Sequence, residues 1–194
     1  MHVLLINGSP HEKGCTYTAL SLVAGELNAA GITTEILNVG TKPVGGCIGC
    51  GGCAKGNGCV FGGVVNEAIE KARTADAFVF GTPVHYASAS GNMTSFLDRL
   101  AYAGGKYLAY KPAAICASAR RAGTTSALDQ LAKYPEFFHM PLVSGSYWPM
   151  VHGSNPEQVL QDEEGCAVMK ELGRNMAWLL QCIEAGKAAG VSHS

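Results

Sequence analysis

Apolar runs alternate with segments of helical periodicity along the whole chain. The short apolar runs predict strands at 2–7, 32–39, 77–81, 113–118 and 141–146. Apolar residues at helical spacing predict helices at 16–30, 64–74, 90–100, 124–133 and 156–185, the last broken near Gly165. Because strands and helices alternate with short connections, the pattern predicts an α/β fold, a doubly wound five-stranded parallel sheet with helices on both faces.

The composition is that of a well-buried α/β protein. Of the 194 residues, 47% are hydrophobic and 15% are charged, and the net charge is −1. These values predict a single domain over residues 1–194 and argue against a nucleic-acid partner or a membrane surface. The apolar run at 2–6 is too short for a signal peptide, and no stretch approaches a membrane span. We therefore expect a cytoplasmic protein whose eight cysteines are largely reduced.

Four of the cysteines are concentrated in a glycine-rich loop at residues 45–61. Cys47, Cys50, Cys53 and Cys59 have the spacing C-x2-C-x2-C-x5-C, and the glycines between them allow the backbone to turn tightly around one small centre. This close spacing is typical of iron–sulfur clusters, whereas structural zinc sites usually use separate C-x2-C pairs. The loop therefore predicts redox chemistry, with a cluster, zinc and reduced metal-free thiols as the alternatives.

The turn after the first strand has the features of a phosphate site. Residues 7–16 offer small side chains, hydroxyls and the start of a helix, which together suit a phosphate monoester. The segment contains neither G-x-G-x-x-G nor a Walker loop, so it does not indicate a dinucleotide or a triphosphate. The alternative is an ordinary turn in which Thr16 is the helix N-cap.

Two further turns follow strands of the same sheet. In the turn 82–88, Pro83 restricts the backbone, and His85 and Tyr86 offer flat faces or donors to an aromatic ring. The turn 118–124 places two arginines and backbone N–H groups at another strand end. A surface loop and solvated arginines are the alternatives. Because ligands of parallel sheets bind at the carboxyl ends of strands, all three turns are expected to meet at one edge.

These motifs together resemble a known family of flavin enzymes. Gly8-Ser9-Pro10 through Cys15-Thr16 resembles the phosphate loop G-S-P-R-x-x-G-N-T of the NADPH-dependent FMN reductases. The segments 81–86 and 96–99 resemble that family's S-P-V-Y-F and K-x-F-x-D-R motifs. The cysteine loop is similar to that of the iron–sulfur flavoproteins, a branch of the same flavodoxin-like superfamily. The later segments that share the likeness are 146–153 and 162–178.

The resemblance implies a flavodoxin-like sheet that binds FMN, with the phosphate on the first turn, the isoalloxazine ring against the second and the polar edge of the ring near the third. The candidate cofactor residues are Ser9, Pro10, His11, Lys13, Cys15, Thr16, Pro83, Val84, His85, Tyr86, Ser118, Arg120 and Gly123. His11 stands where the family usually has Arg, and Cys15 where it usually has Asn. We therefore expect the phosphate to rely more on backbone N–H groups, with a protonated His11 or Lys13 replacing the arginine.

The resemblance further implies an FMN-dependent oxidoreductase that passes electrons from NAD(P)H to a flavin, a quinone or a similar small acceptor. The flavin carries the chemistry, so no side chain is assigned a catalytic role. One alternative is an iron–sulfur flavoprotein electron carrier with ferredoxin as donor and a [4Fe-4S] cluster on Cys47, Cys50, Cys53 and Cys59. Another alternative is a non-catalytic flavin-binding redox sensor.

Two expectations concern the rest of the molecule. Many relatives are dimers or tetramers, so the resemblance implies a homodimer or homotetramer. Cys116 lies in a predicted strand and Cys182 in the last predicted helix, and both are expected to be small buried hydrophobes.

Overall fold

The computed structural model describes residues 1–192. Its strands are β1 His2–Asn7, β2 Thr33–Asn38, β3 Ala77–His85, β4 Ser88–Ala89, β5 Ala113–Ala119 and β6 Met150–His152. Its α-helices are α1 Cys15–Ala29, α2 Val64–Thr74, α3 Gly91–Gly104, α4 Thr124–Phe137, α5 Pro156–Gln161 and α6 Glu163–Ala188. Short 3-10 turns lie at Gly52–Lys55 and Gly105–Tyr107. Within this part of the chain, no helix is both long and apolar enough to cross a membrane.

The sheet has the strand order β2-β1-β3-β5-β6, and these five strands are parallel. The sixth strand, β4, pairs antiparallel with the end of β3 and extends the sheet no further. The chain passes from β1 to β2 on one side and returns to β3 on the other, so the order reverses between β1 and β3. This reversal places a crevice at the carboxyl ends of those two strands. The predicted doubly wound parallel sheet is confirmed.

Two apolar layers cover the two faces of the sheet, because alternate residues of a strand point to opposite faces. Leu4 and Ile6 of β1 join the layer formed with α2, α3 and α4. Val3 and Leu5 of the same strand join the layer formed with α1, α5 and α6. All four side chains are almost completely buried. A strand that is apolar on both sides is therefore explained by helices on both faces.

The fifth parallel strand differs from the prediction. The apolar run predicted at 141–146 makes only a single bridge, between Leu142 and Ala113. The chain then leaves the sheet, and regular pairing resumes at Met150 opposite Ala117. The intervening residues are mostly polar or exposed, and Pro149 has no N–H to donate to a neighbouring strand. The prediction of a strand at 141–146 was wrong, because the apolar residues lie early in the segment and regular strand pairing begins only at Met150.

The break in the last helical segment lies at Asp162, three residues before the predicted position at Gly165. The Asp162 carboxylate accepts hydrogen bonds from the Gly165 N–H at 3.0 Å and the His152 N–H at 2.7 Å. It therefore caps α6 and also joins the start of that helix to β6. A Cβ atom at Gly165 would lie 2.4 Å from Asp162 Oδ2, so this glycine permits close packing and does not end a helix.

We predict that Asp162→Ala lowers the free energy of unfolding by about 1–2 kcal/mol, the usual cost of removing an N-cap acceptor. Urea denaturation followed by circular dichroism measures this change. Asp162→Asn keeps an oxygen that can accept from the Gly165 N–H and should recover most of the stability. An unchanged denaturation midpoint in Asp162→Ala would show that the cap contributes nothing.

Candidate functional site

The turns after β1, β3 and β5 meet at one edge of the sheet. The Gly8 N–H donates to the Gly81 carbonyl at 2.9 Å, and the Ser90 hydroxyl donates to the Gly8 carbonyl at the same distance. The hydroxyls of Thr16 and Ser118 are hydrogen bonded to each other at 2.8 Å, although 102 residues separate them. These contacts connect the first turn to both of the others and form one continuous edge.

The buried amide of Asn7 organises the first turn. Its Oδ1 accepts from the Ser9 N–H at 3.1 Å, and its Nδ2 donates to the Glu12 carbonyl at 3.2 Å and to Asn38 Oδ1 at 2.8 Å. The Ser9 hydroxyl in turn accepts from the His11 N–H at 3.1 Å. The backbone of the turn is therefore held from inside by a side chain to which the sequence analysis assigns no role.

Two helices begin at this edge without a side-chain cap. The N-cap of α1 is Gly14 and that of α4 is Gly123, and neither helix has an acidic residue in its first turn. The first N–H groups of a helix have no intrahelical acceptor and carry partial positive charge. Thr16, the expected N-cap in the alternative reading of this turn, instead bonds to Ser118. The edge is therefore favourable for an anion such as a phosphate.

The candidate phosphate-binding residues differ in their exposure to solvent. Ser9 and Thr16 are buried, and their hydroxyls already bond within the protein. The Cys15 thiol is directed away from the turn, towards the Gly153 carbonyl at 3.5 Å, and burial raises its pKa. Cys15 can therefore serve an anion through its backbone N–H. The candidates of this turn that are exposed to solvent are Pro10, His11 and Lys13, and the acidic Glu12 between them is exposed as well.

The second turn is a hairpin with a strained tip. β3 and β4 are joined by Tyr86 and Ala87, whose φ angles are 50° and 59°. Left-handed backbone at two consecutive non-glycine residues costs free energy, and such strain is often found at binding sites. Tyr86 is fully exposed, so its side chain is available to a ligand. His85 is exposed as well, whereas Pro83 and Val84, the other ring-lining candidates, are half-buried.

The second and third turns are in direct contact. A Cβ atom at Gly123 would lie 2.6 Å from the Ala87 Cα, and Gly123 has a φ of 93°. Glycine is thus required here both by the close approach and by the backbone angle. Arg120 is exposed just after β5, three residues before Gly123, and Ser118 is buried near the end of that strand. The structure brings the three predicted turns together.

The cysteine loop forms a second feature at the same edge, because it follows β2. Cys47, Cys50, Cys53 and Cys59 all line one cavity of about 100 Å³, and all four thiols are free. The donor set therefore has the right chemistry for a thiolate-bound metal or cluster. Among residues 1–192, however, no three Cys, His, Asp or Glu side chains are grouped closely enough to hold a metal ion. The loop would have to close before it could hold one.

The cysteine loop and the segment that leads into it are held by two side chains, Asn92 and Arg99, for which the sequence predicts no role. The Asn92 amide donates to the carbonyls of Gly40 and Lys42, and Arg99 contacts the Cys59 sulfur. Arg99 lies among Met93, Phe96, Leu97 and Leu100 on the buried side of α3. An arginine at helical spacing within an apolar stripe is a sequence signal that could have identified it.

The cysteines outside the loop give mixed results. Cys116 is completely buried, and burial raises its pKa to about 12, so it is the inert small hydrophobe that was predicted. Cys182 is exposed on α6, so the prediction that it is buried was wrong. Its position near the end of a long amphipathic helix puts it on the polar face. The thiol of Cys166 donates to the Val159 carbonyl at 3.2 Å, and burial raises its pKa.

Comparison with known proteins identifies the family. The family model of the NADPH-dependent FMN reductases matches residues 1–155, and the chain belongs to this family. An iron–sulfur flavoprotein of Methanocaldococcus jannaschii is 26% identical over 193 residues, which cover 95% of this chain and all of that protein. An iron–sulfur flavoprotein of Archaeoglobus fulgidus is 30% identical over 175 residues, which cover 88% of this chain and 86% of that protein.

A solved structure gives the fold. A WrbA-like flavodoxin protein from Agrobacterium tumefaciens superposes with a TM-score of 0.63 at 14% identity, over 93% of this chain and 97% of that one. At this level of identity the likeness establishes the fold alone. The flavodoxin-like fold expected from the sequence is confirmed.

We predict that Gly123→Ala raises the dissociation constant for FMN about tenfold, because overpacking of this kind costs about 1–3 kcal/mol. The added methyl group would meet Ala87 and separate the second turn from the third. Fluorescence titration of flavin-free protein with FMN measures the constant. Gly25→Ala is the matched control, since a Cβ there meets nothing within 4 Å. Equal affinity in Gly123→Ala and wild type would exclude this contact from the binding site.

Proposed function

We propose that this member of the NADPH-dependent FMN reductase family is an FMN-dependent oxidoreductase that passes electrons from NAD(P)H to a small acceptor such as a flavin or a quinone. The observation that carries the proposal is the edge at which α1 and α4 both begin without a side-chain cap, and at which the Thr16 hydroxyl of α1 is hydrogen bonded to Ser118 of β5. The family match over residues 1–155 supports it independently.

The residues at this edge fit FMN. In the proposed arrangement, the backbone N–H groups at the start of α1, with Ser9 and Thr16 beneath them, hold the phosphate. The half-buried Pro83 and Val84 provide an apolar surface beside the exposed Tyr86, which suits a flat aromatic ring. When bound, FMN supplies hydride and single-electron transfer through this ring.

A mononucleotide is favoured over FAD or a dinucleotide. The first turn offers one anion site, and the sequence around it lacks the G-x-G-x-x-G pattern that a pyrophosphate requires. The hairpin tip at Tyr86 is exposed, which leaves room for a nicotinamide and then an acceptor to approach in turn. In the proposed arrangement, the Arg120 side chain and the N–H groups of residues 118–124 would favour negative charge at the polar edge of the ring.

The test is anaerobic reduction of the purified, FMN-loaded protein. We predict that NADPH or NADH bleaches the flavin absorption and that added quinone or free FMN restores it over many cycles. Chromatography of the heat-released cofactor should yield FMN. Recovery of FAD would contradict the cofactor assignment. A flavin that is reduced once but does not turn over with any acceptor would favour the non-catalytic redox sensor.

A second candidate function is favoured by the cysteine loop. The four thiols line one cavity, and both relatives described above are named iron–sulfur flavoproteins. In this proposal Cys47, Cys50, Cys53 and Cys59 hold a [4Fe-4S] cluster that exchanges single electrons with the flavin. The protein would then be an electron carrier between one-electron donors such as ferredoxin and two-electron acceptors.

We predict iron and sulfide in the wild-type protein when it is purified without oxygen, and a loss of most of both in Cys50→Ser. Metal analysis per chain, including zinc, measures this directly. Cys182→Ser is the matched control, because Cys182 is exposed and lies on α6, outside the loop. Zinc in place of iron would indicate a structural site. Absence of any metal from the wild type would leave a loop of free thiols and exclude this function.

A further inference from the structure

Arg99 is a buried cation whose hydrogen bonds are concentrated on the cysteine loop. The residue is only 7% exposed, and its three donors reach three parts of one segment. Its Nε donates to the Cys59 sulfur at 3.2 Å, its Nη2 to the Gly62 carbonyl at 2.9 Å and its Nη1 to the Gly45 carbonyl at 3.4 Å. The two carbonyls stand at opposite ends of the loop, so one planar group fastens both ends to α3.

The partners of this guanidinium do not neutralise its charge. Among residues 1–192, no carboxylate forms an ion pair with Arg99, and backbone carbonyls are uncharged acceptors. The Phe61 ring lies with its centroid 5.7 Å from the guanidinium carbon and covers it on one side. A buried cation without a counter-ion is costly, so a negatively charged group bound in the adjacent cavity would be stabilised by Arg99.

We propose that Arg99 is a positioning residue for the four-cysteine centre. It holds the ends of the loop together so that the thiols face one cavity, and it supplies a positive hydrogen-bond donor to the sulfur of Cys59. The ligand implied by this arrangement is a negatively charged, thiolate-bound metal or cluster, so the proposal rests on the second candidate function. The role of Arg99 in holding the two ends of the loop together does not require a metal, so it applies to the metal-free protein as well.

Substitutions at Asn66 can separate the effect of the position of Cys59 from the effect of the charge beside its sulfur. Its side chain accepts from the Cys59 N–H at 2.8 Å and donates to the Cys59 carbonyl at 3.0 Å. Asn66 therefore fixes the backbone of the same cysteine without touching the sulfur and without carrying a charge. Comparison of substitutions at Arg99 and Asn66 distinguishes an electrostatic effect on sulfur from a general loosening of the loop.

The first measurement uses metal-free protein. Hydrogen exchange by mass spectrometry should show amides of residues 45–62 exchanging about tenfold faster in Arg99→Met than in wild type, because two of the bonds that close the segment are lost. Arg73→Met is the matched control. Arg73 lies on the exposed surface of α2, where it contacts Glu70 and Tyr107 and no residue of the loop. Equal exchange of 45–62 in Arg99→Met and wild type would overturn the proposal, whether or not the protein binds a metal.

The second measurement uses protein reconstituted with iron and sulfide, titrated with dithionite through mediators. Reduction of such a centre would add one electron to it. Removing the cation in Arg99→Met should lower the reduction potential by about 60 mV, the equivalent of a tenfold change for one electron. Arg99→Lys should restore most of this shift, whereas Asn66→Ala should leave the potential close to that of wild type.

The outcomes separate the two hypotheses. A wild type that takes up no iron would exclude the cluster function, and the exchange experiment would still decide whether Arg99 fastens the loop. A cluster whose potential is the same in wild type and Arg99→Met would overturn the electrostatic role of Arg99 while leaving the cluster function intact. An equal shift in Asn66→Ala and Arg99→Met would assign the effect to loop geometry and reject the role of the charge.

Discussion

Both candidate sites depend on the hydrogen bonds of one buried amide, that of Asn7, at the end of β1. Asn7 ends β1, which has β2 on one side and β3 on the other. Its side chain bonds to the first turn and to Asn38, and its carbonyl accepts from the N–H groups of Val39 and Gly40. Leaving a buried amide without these partners costs free energy. The turn after β1 and the residues that follow β2 are therefore constrained together.

The helix α3 extends this constraint from one site to the other. Its N-cap, Ser90, bonds to Gly8 in the first turn and accepts the Met93 N–H, so the helix begins at the edge formed by the three turns. Two residues further on, Asn92 holds the segment that leads into the cysteine loop, and two turns later Arg99 holds the loop itself. A single rigid element therefore sets the separation between the two sites, which matters if electrons pass between them.

Periodicity was sufficient to predict most of the fold, because the apolar residues of β1 and its neighbours face helices on both sides. It failed where burial and pairing do not coincide, as in the apolar residues before β6, and where a side chain caps a helix, as Asp162 does. The three turns could be predicted from strand order. The contacts that fix them could not, because the Thr16–Ser118 bond and the Arg99–Cys59 contact join residues 102 and 40 positions apart.

The two sites differ in how completely the protein has already formed them. At the edge formed by the three turns, the turns contact one another directly, and the strain at Tyr86 and Ala87 is held by hydrogen bonds from Ser88 and Ala89 to Gln130 of α4. Such an edge can bind a ligand with little rearrangement, so little binding energy is lost to ordering. In the cysteine loop, by contrast, glycines with positive φ at positions 49, 51, 56 and 58 leave the backbone adaptable, and the thiols share a cavity without converging. Metal ligation would have to supply the energy that closes the loop, and Arg99 reduces that cost by holding its ends in place.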